Sequence, residues 1–192
     1  MGGSAKRDWG LRITFVLGLL MTVGAGIAIY ALISDDRLET IGPSMRPTLE
    51  GRVALEIDES AYEDALPRLN EVIAAQGPEG LELEACASPG PRSPCARSDE
   101  SYSTIRVVKR IVGLPGDSIA FSDDGGTIRN GKLAREPFIR RCSSQCALPR
   151  PIVVPEGHYF LAGDNRPVSS DSRSWGPVRF EAIDGRVMLP AS

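Results

Sequence analysis

Residues Ile13 to Ile33 form a run of 21 residues without a single charge. At 1.5 Å rise per residue, a helix of that length covers the roughly 30 Å hydrocarbon core of a bilayer. Lys6, Arg7 and Arg12 precede the run; Asp35, Asp36 and Glu39 follow it, with Arg37 the one nearby cation. That asymmetry predicts a cytoplasmic N-terminus at 1–12, a membrane helix at 13–33, and residues 34–192 across the membrane. Trp9 and Tyr30 fall where interfacial aromatics sit. A cleaved secretion signal is the competing reading. Its apolar stretch is shorter, about 7–15 residues, and it ends in small residues of the Ala-x-Ala kind. Ala31-Leu32-Ile33 lacks that pattern.

The remaining chain is long enough for one soluble domain with its own core. The net charge is −3 and the arginines are scattered. No basic field for nucleic acid is therefore expected. The pattern predicts a mainly β, antiparallel domain. A strand, the Pro43–Pro47 turn and a strand near Val53–Ile57 come first. Thr104–Val112 is β-branched and apolar and ends in Gly-Leu-Pro-Gly-Asp, as a strand before a turn does. Ser118–Phe121 and Gly126–Leu133 flank Asp-Asp-Gly-Gly, a hairpin signal. Tyr159–Ala162, Val178–Phe180 and Gly185–Leu189 complete the strands. Two excursions interrupt them, at 58–103 and 134–157. In the first, Ala61–Leu66 and Leu69–Ala75 have helical spacing, which predicts helix there.

Of 22 basic residues only three are lysines, Lys6, Lys109 and Lys132. Arginine cannot give up its proton, whereas a lysine in a dry site can. A neutral lysine amine is a competent base for a serine nucleophile. Lys109 lies in Arg106-Val107-Val108-Lys109-Arg110-Ile111-Val112-Gly113, and Ser44 in Gly42-Pro43-Ser44-Met45-Arg46-Pro47-Thr48-Leu49. His158 is the only histidine, so a Ser-His-Asp triad would have to use it. It enters a strand from the Pro155-Glu156-Gly157 turn, where a strand-edge role is the plainer reading.

Three segments in order resemble the type I signal peptidases, the membrane-anchored Ser/Lys peptidases. These are Ser44-Met45-x-Pro47-Thr48-Leu49, then Lys109-Arg110-Ile111-Val112-Gly113-Leu114-Pro115-Gly116-Asp117, then Gly163-Asp164-Asn165-Arg166-x-x-Ser169-x-Asp171-Ser172-Arg173-x-Trp175-Gly176. The resemblance implies Ser44 as nucleophile and Lys109 as general base, with Ser169 orienting the lysine amine. It implies that Asp171 pairs with Arg173, and Asp164 with Arg110. Met45, Leu49, Val107 and Val108 match positions that line small-residue specificity pockets. It implies no cofactor and no metal. The expected partners are the signal peptides of preproteins and the lipid bilayer, met by a monomer that cleaves after Ala-x-Ala-like sites. Gly42 stands where some members carry an oxyanion-hole serine, so backbone N–H groups would carry that task. The alternatives are an anchored β-domain that binds a partner without catalysis, and a peptidase dedicated to one export or conjugation system. A self-cleaving, repressor-type relative normally carries a DNA-binding segment where this chain has its apolar run.

The four cysteines are Cys86, Cys95, Cys142 and Cys146, none in Cys-x2-Cys spacing. Outside the cytoplasm thiols oxidise, and short loops favour local pairing. Four cysteines allow three pairings; the expectation is the local one, Cys86–Cys95 and Cys142–Cys146, stapling the excursions and leaving the catalytic core untouched, with reduced thiols or pairing across the excursions as the alternatives.

Overall fold

A computed structural model describes residues 38–40, 42–78, 102–143 and 146–189. The expected membrane helix at 13–33 and the expected Cys86–Cys95 disulfide lie outside these residues. Among the described residues no helix is long and apolar enough to cross a membrane.

Eleven strands form two antiparallel sheets among the described residues. They are β1 (Leu38–Thr40), β2 (Val53–Asp58), β3 (Val72–Pro78), β4 (Tyr102–Gly113), β5 (Ser118–Phe121), β6 (Thr127–Arg129), β7 (Lys132–Leu133), β8 (Leu148–Val153), β9 (His158–Ala162), β10 (Val178–Arg179) and β11 (Ile183–Met188). The larger sheet runs β1-β2-β11-β3-β4-β9-β10, the smaller β7-β6-β5-β8. The mainly β, antiparallel expectation thus describes the domain.

The helical expectation for 61–75 does not hold. Only a single 3-10 turn, Glu59–Tyr62, forms there, and Val72–Pro78 is a strand. The reason is burial on both faces. Val72 and Ala74 join one core cluster, Ile73 and Ala75 the other. A strand covered on both sides loses its polar alternation, and a short apolar run then looks alike in both periods. The strand lies at the centre of the large sheet, pairing with β4 from Val72↔Arg110 through Ala75↔Val107. The first excursion therefore contributes a core strand beside Lys109. The second also returns as structure, since β8 pairs with β5.

Strand alternation distributes the core. Along β9, Tyr159 and Leu161 pack with Ile73, Ile111 and Trp175, whereas Phe160 and Ala162 face Ile119, Phe121 and Ile152 of the small sheet. A third cluster holds Met45, Leu49, Leu55, Val72, Ala74, Val108 and Val187. Burial of such side chains stabilises the domain by about 1.5–3 kcal/mol each. Two members, Met45 and Leu49, come from the turn that carries Ser44, so the core itself anchors that turn.

Candidate active site

The Ser44 turn is a 3-10 turn, Pro43–Met45, entered by extended Gly42 and closed by the Arg46 N–H on the Pro43 carbonyl. Pro43 suits the first position because its fixed φ is compatible and its missing N–H is not needed there. The Arg46–Pro47 peptide is cis. The segment ends where the Leu49 N–H meets the Met45 carbonyl.

Lys109 Nζ lies 3.0 Å from Ser44 Oγ and 3.2 Å from the Val108 carbonyl. The 65 residues between them in sequence are bridged by the fold. Lys109 is 5% exposed. Burial pulls its pKa below the ordinary lysine value; the Asp171 carboxylate opposes the shift and the Arg173 guanidinium assists it. A buried ammonium without an adjacent carboxylate partner is disfavoured against the neutral amine. The arrangement can therefore move a proton between a hydroxyl and an amine at ordinary hydrogen-bonding distance.

Two ion pairs stand beside Ser44 and Lys109. Arg110 binds Asp164 through both carboxylate oxygens, Nε to Oδ1 at 2.8 Å and Nη2 to Oδ2 at 2.6 Å. Thr48 Oγ1 donates to the same carboxylate. Arg110 also donates to the Asn70 carbonyl at 2.7 Å and stacks 4.0 Å from the Phe138 ring centroid. Arg173 binds both oxygens of Asp171 at 2.8 Å. Asp171 is fully buried and accepts from the Gly163 N–H at 2.9 Å. It also caps the one-turn helix α1 (Ser172–Trp175) by accepting from the Arg173 N–H. Burial pushes the Asp171 carboxyl up, but the Arg173 charge and these hydrogen bonds outweigh it and hold the pKa low.

Ser169 Oγ lies beside the Asp171 carboxylate and helps to hold its pKa low. The hydrogen bonds of the Lys109 amine go to Ser44 Oγ and the Val108 carbonyl, with Ser169 on the Asp171 side. The Ser169 hydroxyl packs against Gly163, where an added Cβ would lie 2.2 Å from it. The four pocket positions separate. Met45, Leu49 and Val108 share one cluster, whereas Val107 packs against the other. His158 begins β9 opposite Arg179, with Nδ1 2.8 Å from the Glu156 carbonyl. Cys142 and Cys146 are joined in a disulfide.

Several contacts carried no signal in sequence. Asn165 donates its backbone N–H to the Ser44 carbonyl and its side-chain Nδ2 to the Pro43 carbonyl, both at 2.9 Å. Arg166 makes a buried pair with Glu136 at 2.7 Å, and Glu136 also takes the Thr127 N–H and hydroxyl. Arg140 bridges to Asn165. Glu136 and Arg140 lie in the second excursion. No local spacing marks them.

The family model for "Signal peptidase, peptidase S26" matches residues 7–191. Signal peptidase I V of Bacillus subtilis is 28% identical over 94% of this chain and 95% of its own length. A probable signal peptidase I-2 of Synechocystis is 30% identical over 92% of this chain and 69% of its own. A crystal structure of a signal peptidase I from Enterococcus faecalis is 26% identical, covering 65% of this chain and 98% of that one, with a TM-score of 0.40. With its family model spanning nearly the whole sequence, the chain belongs to the S26 signal peptidases, a family of serine peptidases.

Proposed function

We propose that this chain is a membrane-anchored endopeptidase that removes signal peptides from preproteins after Ala-x-Ala-like sites. The observation that carries the reading is the 3.0 Å approach of Ser44 Oγ to a buried Lys109 amine. Ser44 Oγ attacks the scissile carbonyl carbon while neutral Lys109 takes its proton. Lys109 then protonates the leaving amine nitrogen, and the peptide bond breaks to leave an acyl ester on Ser44. Water attacks that ester. Lys109 takes the water proton and returns one to Ser44 Oγ, which releases the new carboxyl terminus.

The buried ion pairs Arg110–Asp164 and Asp171–Arg173 fix the strands on either side of the amine. Met45, Leu49 and Val108 are nearly covered by their neighbours, so a pocket floored by them is shallow and suits alanine-sized side chains. A substrate segment would add as an extended strand, using main-chain hydrogen bonds for affinity. Residues 13–33 supply the anchor, with the N-terminus cytoplasmic and a monomeric catalytic domain outside.

The test is cleavage of a synthetic peptide with an Ala-x-Ala junction by the full chain in detergent. Cleavage after the second alanine, lost in Ser44→Ala, is the expected result. Equal cleavage by wild type and Ser44→Ala, or none by either, would favour an inactive partner-binding domain.

A further inference from the structure

We propose that Asn165 is a positioning residue for the oxyanion site: its grip on the Pro43 and Ser44 carbonyls turns the Ser44 N–H toward the forming oxyanion. The inference rests on the Ser44 reading given above.

The argument starts from the peptide unit. It is planar and trans, so the N–H points opposite to the C=O of the same unit. The Pro43 carbonyl is held by Asn165 Nδ2, and the Ser44 carbonyl by the Asn165 N–H. Each contact therefore directs the next N–H, of Ser44 and of Met45, away from Asn165. Residue 42 is glycine, extended and with open space around it. It brings no side-chain donor to a developing oxyanion, so the charge must meet backbone N–H groups whose direction is already set. Donors aimed before the reaction cost no reorganisation during it.

Asn165 is itself held from behind. Arg140 donates its N–H to the Asp164 carbonyl at 2.8 Å and accepts the Arg166 N–H at 3.2 Å. The residue is 2% exposed. Its Oδ1 is buried and has no hydrogen-bond partner among the described residues. A buried unsatisfied amide oxygen lowers stability. This side chain thus carries a penalty on its oxygen while its nitrogen holds the nucleophile turn. A residue serving only stability has no reason for that combination.

Asn165→Ala in the full chain removes both halves of the amide. On the Ala-x-Ala peptide, kcat falls by roughly ten-fold or more, while KM stays within about two-fold. The acid limb of the pH profile stays in place, because Lys109 is untouched. The thermal midpoint falls only by what one lost hydrogen bond and a small void cost, less than the loss in kcat. A peptide boronate ending in the same residues forms a tetrahedral anion on Ser44, and its affinity falls in step with kcat. Asn165→Leu keeps the shape without the donor and without a new charge, and carries the same test if the alanine variant does not fold. Unchanged kcat and boronate affinity in an otherwise active enzyme would overturn the inference. So would a loss shared by KM and thermal stability with boronate affinity intact. Absence of any Ser44-dependent cleavage by wild type would instead remove the functional reading, and this inference with it.

Discussion

Arg110 and Asp164 face each other as a fork on a fork, with contacts of 2.8 and 2.6 Å and side chains 7% and 0% exposed. Neighbouring Lys109 reaches Ser44 from the same strand, and Thr48 at the far end of the Ser44 turn donates to the same carboxylate. The pair thus ties the lysine strand to the serine turn.

Removing one partner strands a buried charge. Asp164→Ala is expected to destabilise the domain by about 3–5 kcal/mol, measured by urea unfolding. Replacing both partners by apolar residues, Arg110→Met with Asp164→Leu, should recover most of that loss. A double variant as unstable as the single one would show that the pair matters through geometry beyond its charges.

Lys109→Arg keeps a cation and removes the base. Activity on the Ala-x-Ala peptide should fall about 10²–10⁴-fold. In wild type, kcat/KM should rise with pH and level off below the ordinary lysine value of 10.5, because the folded pKa is lowered. A profile that keeps climbing to that value would place the proton transfer elsewhere.

The same shift affects stability. The unfolded chain holds the Lys109 proton at pH values where the folded chain has released it, so stability rises with pH from the folded pKa up to 10.5. Lys109→Met should therefore stabilise the domain, most of all below the folded pKa, with the gain shrinking toward pH 10.5. Thermal midpoints of the two proteins across that range decide it. A gain independent of pH would mean that packing, not charge burial, is responsible.

Gly163 is where the third motif passes under the Ser44 turn. A Cβ there would lie 2.2 Å from Ser169 Oγ and 2.6 Å from the Ser44 carbonyl oxygen. The hydroxyl can rotate, but a backbone carbonyl cannot move without moving the turn. Gly163→Ala should cost about 1–3 kcal/mol and most of the activity. Full activity with native stability would show that the turn has slack.

The Cys142–Cys146 link closes a loop with a sequence separation of 4. Loops that short gain only about 2 kcal/mol from cross-linking. Cys142→Ser with Cys146→Ser should lower stability by roughly that amount and leave peptide cleavage nearly intact, because Ser44 and Lys109 lie outside the loop. Complete loss of cleavage would show that the loop shapes the site through the Arg140–Asn165 bridge.

Sequence alone determined what local chemistry determines. Turn residues marked the hairpin at Asp123–Gly126, a β-branched run marked β4, and an aromatic and apolar run marked β9. The short separations Asp171–Arg173 and Cys142–Cys146 bring partners together with little chain between them. Lysine scarcity singled out Lys109, and three ordered motifs led to the family. Tertiary structure decided the rest. Strand β3 has no polar face to reveal its period, because both its faces are buried. Thr48 meets Asp164 across 116 residues, and Asn165 meets Pro43 across 122. Such contacts arise only when the sheets close, so no spacing encodes them. Burial likewise fixes the state of Lys109: the same side chain on an exposed strand would remain an ordinary cation.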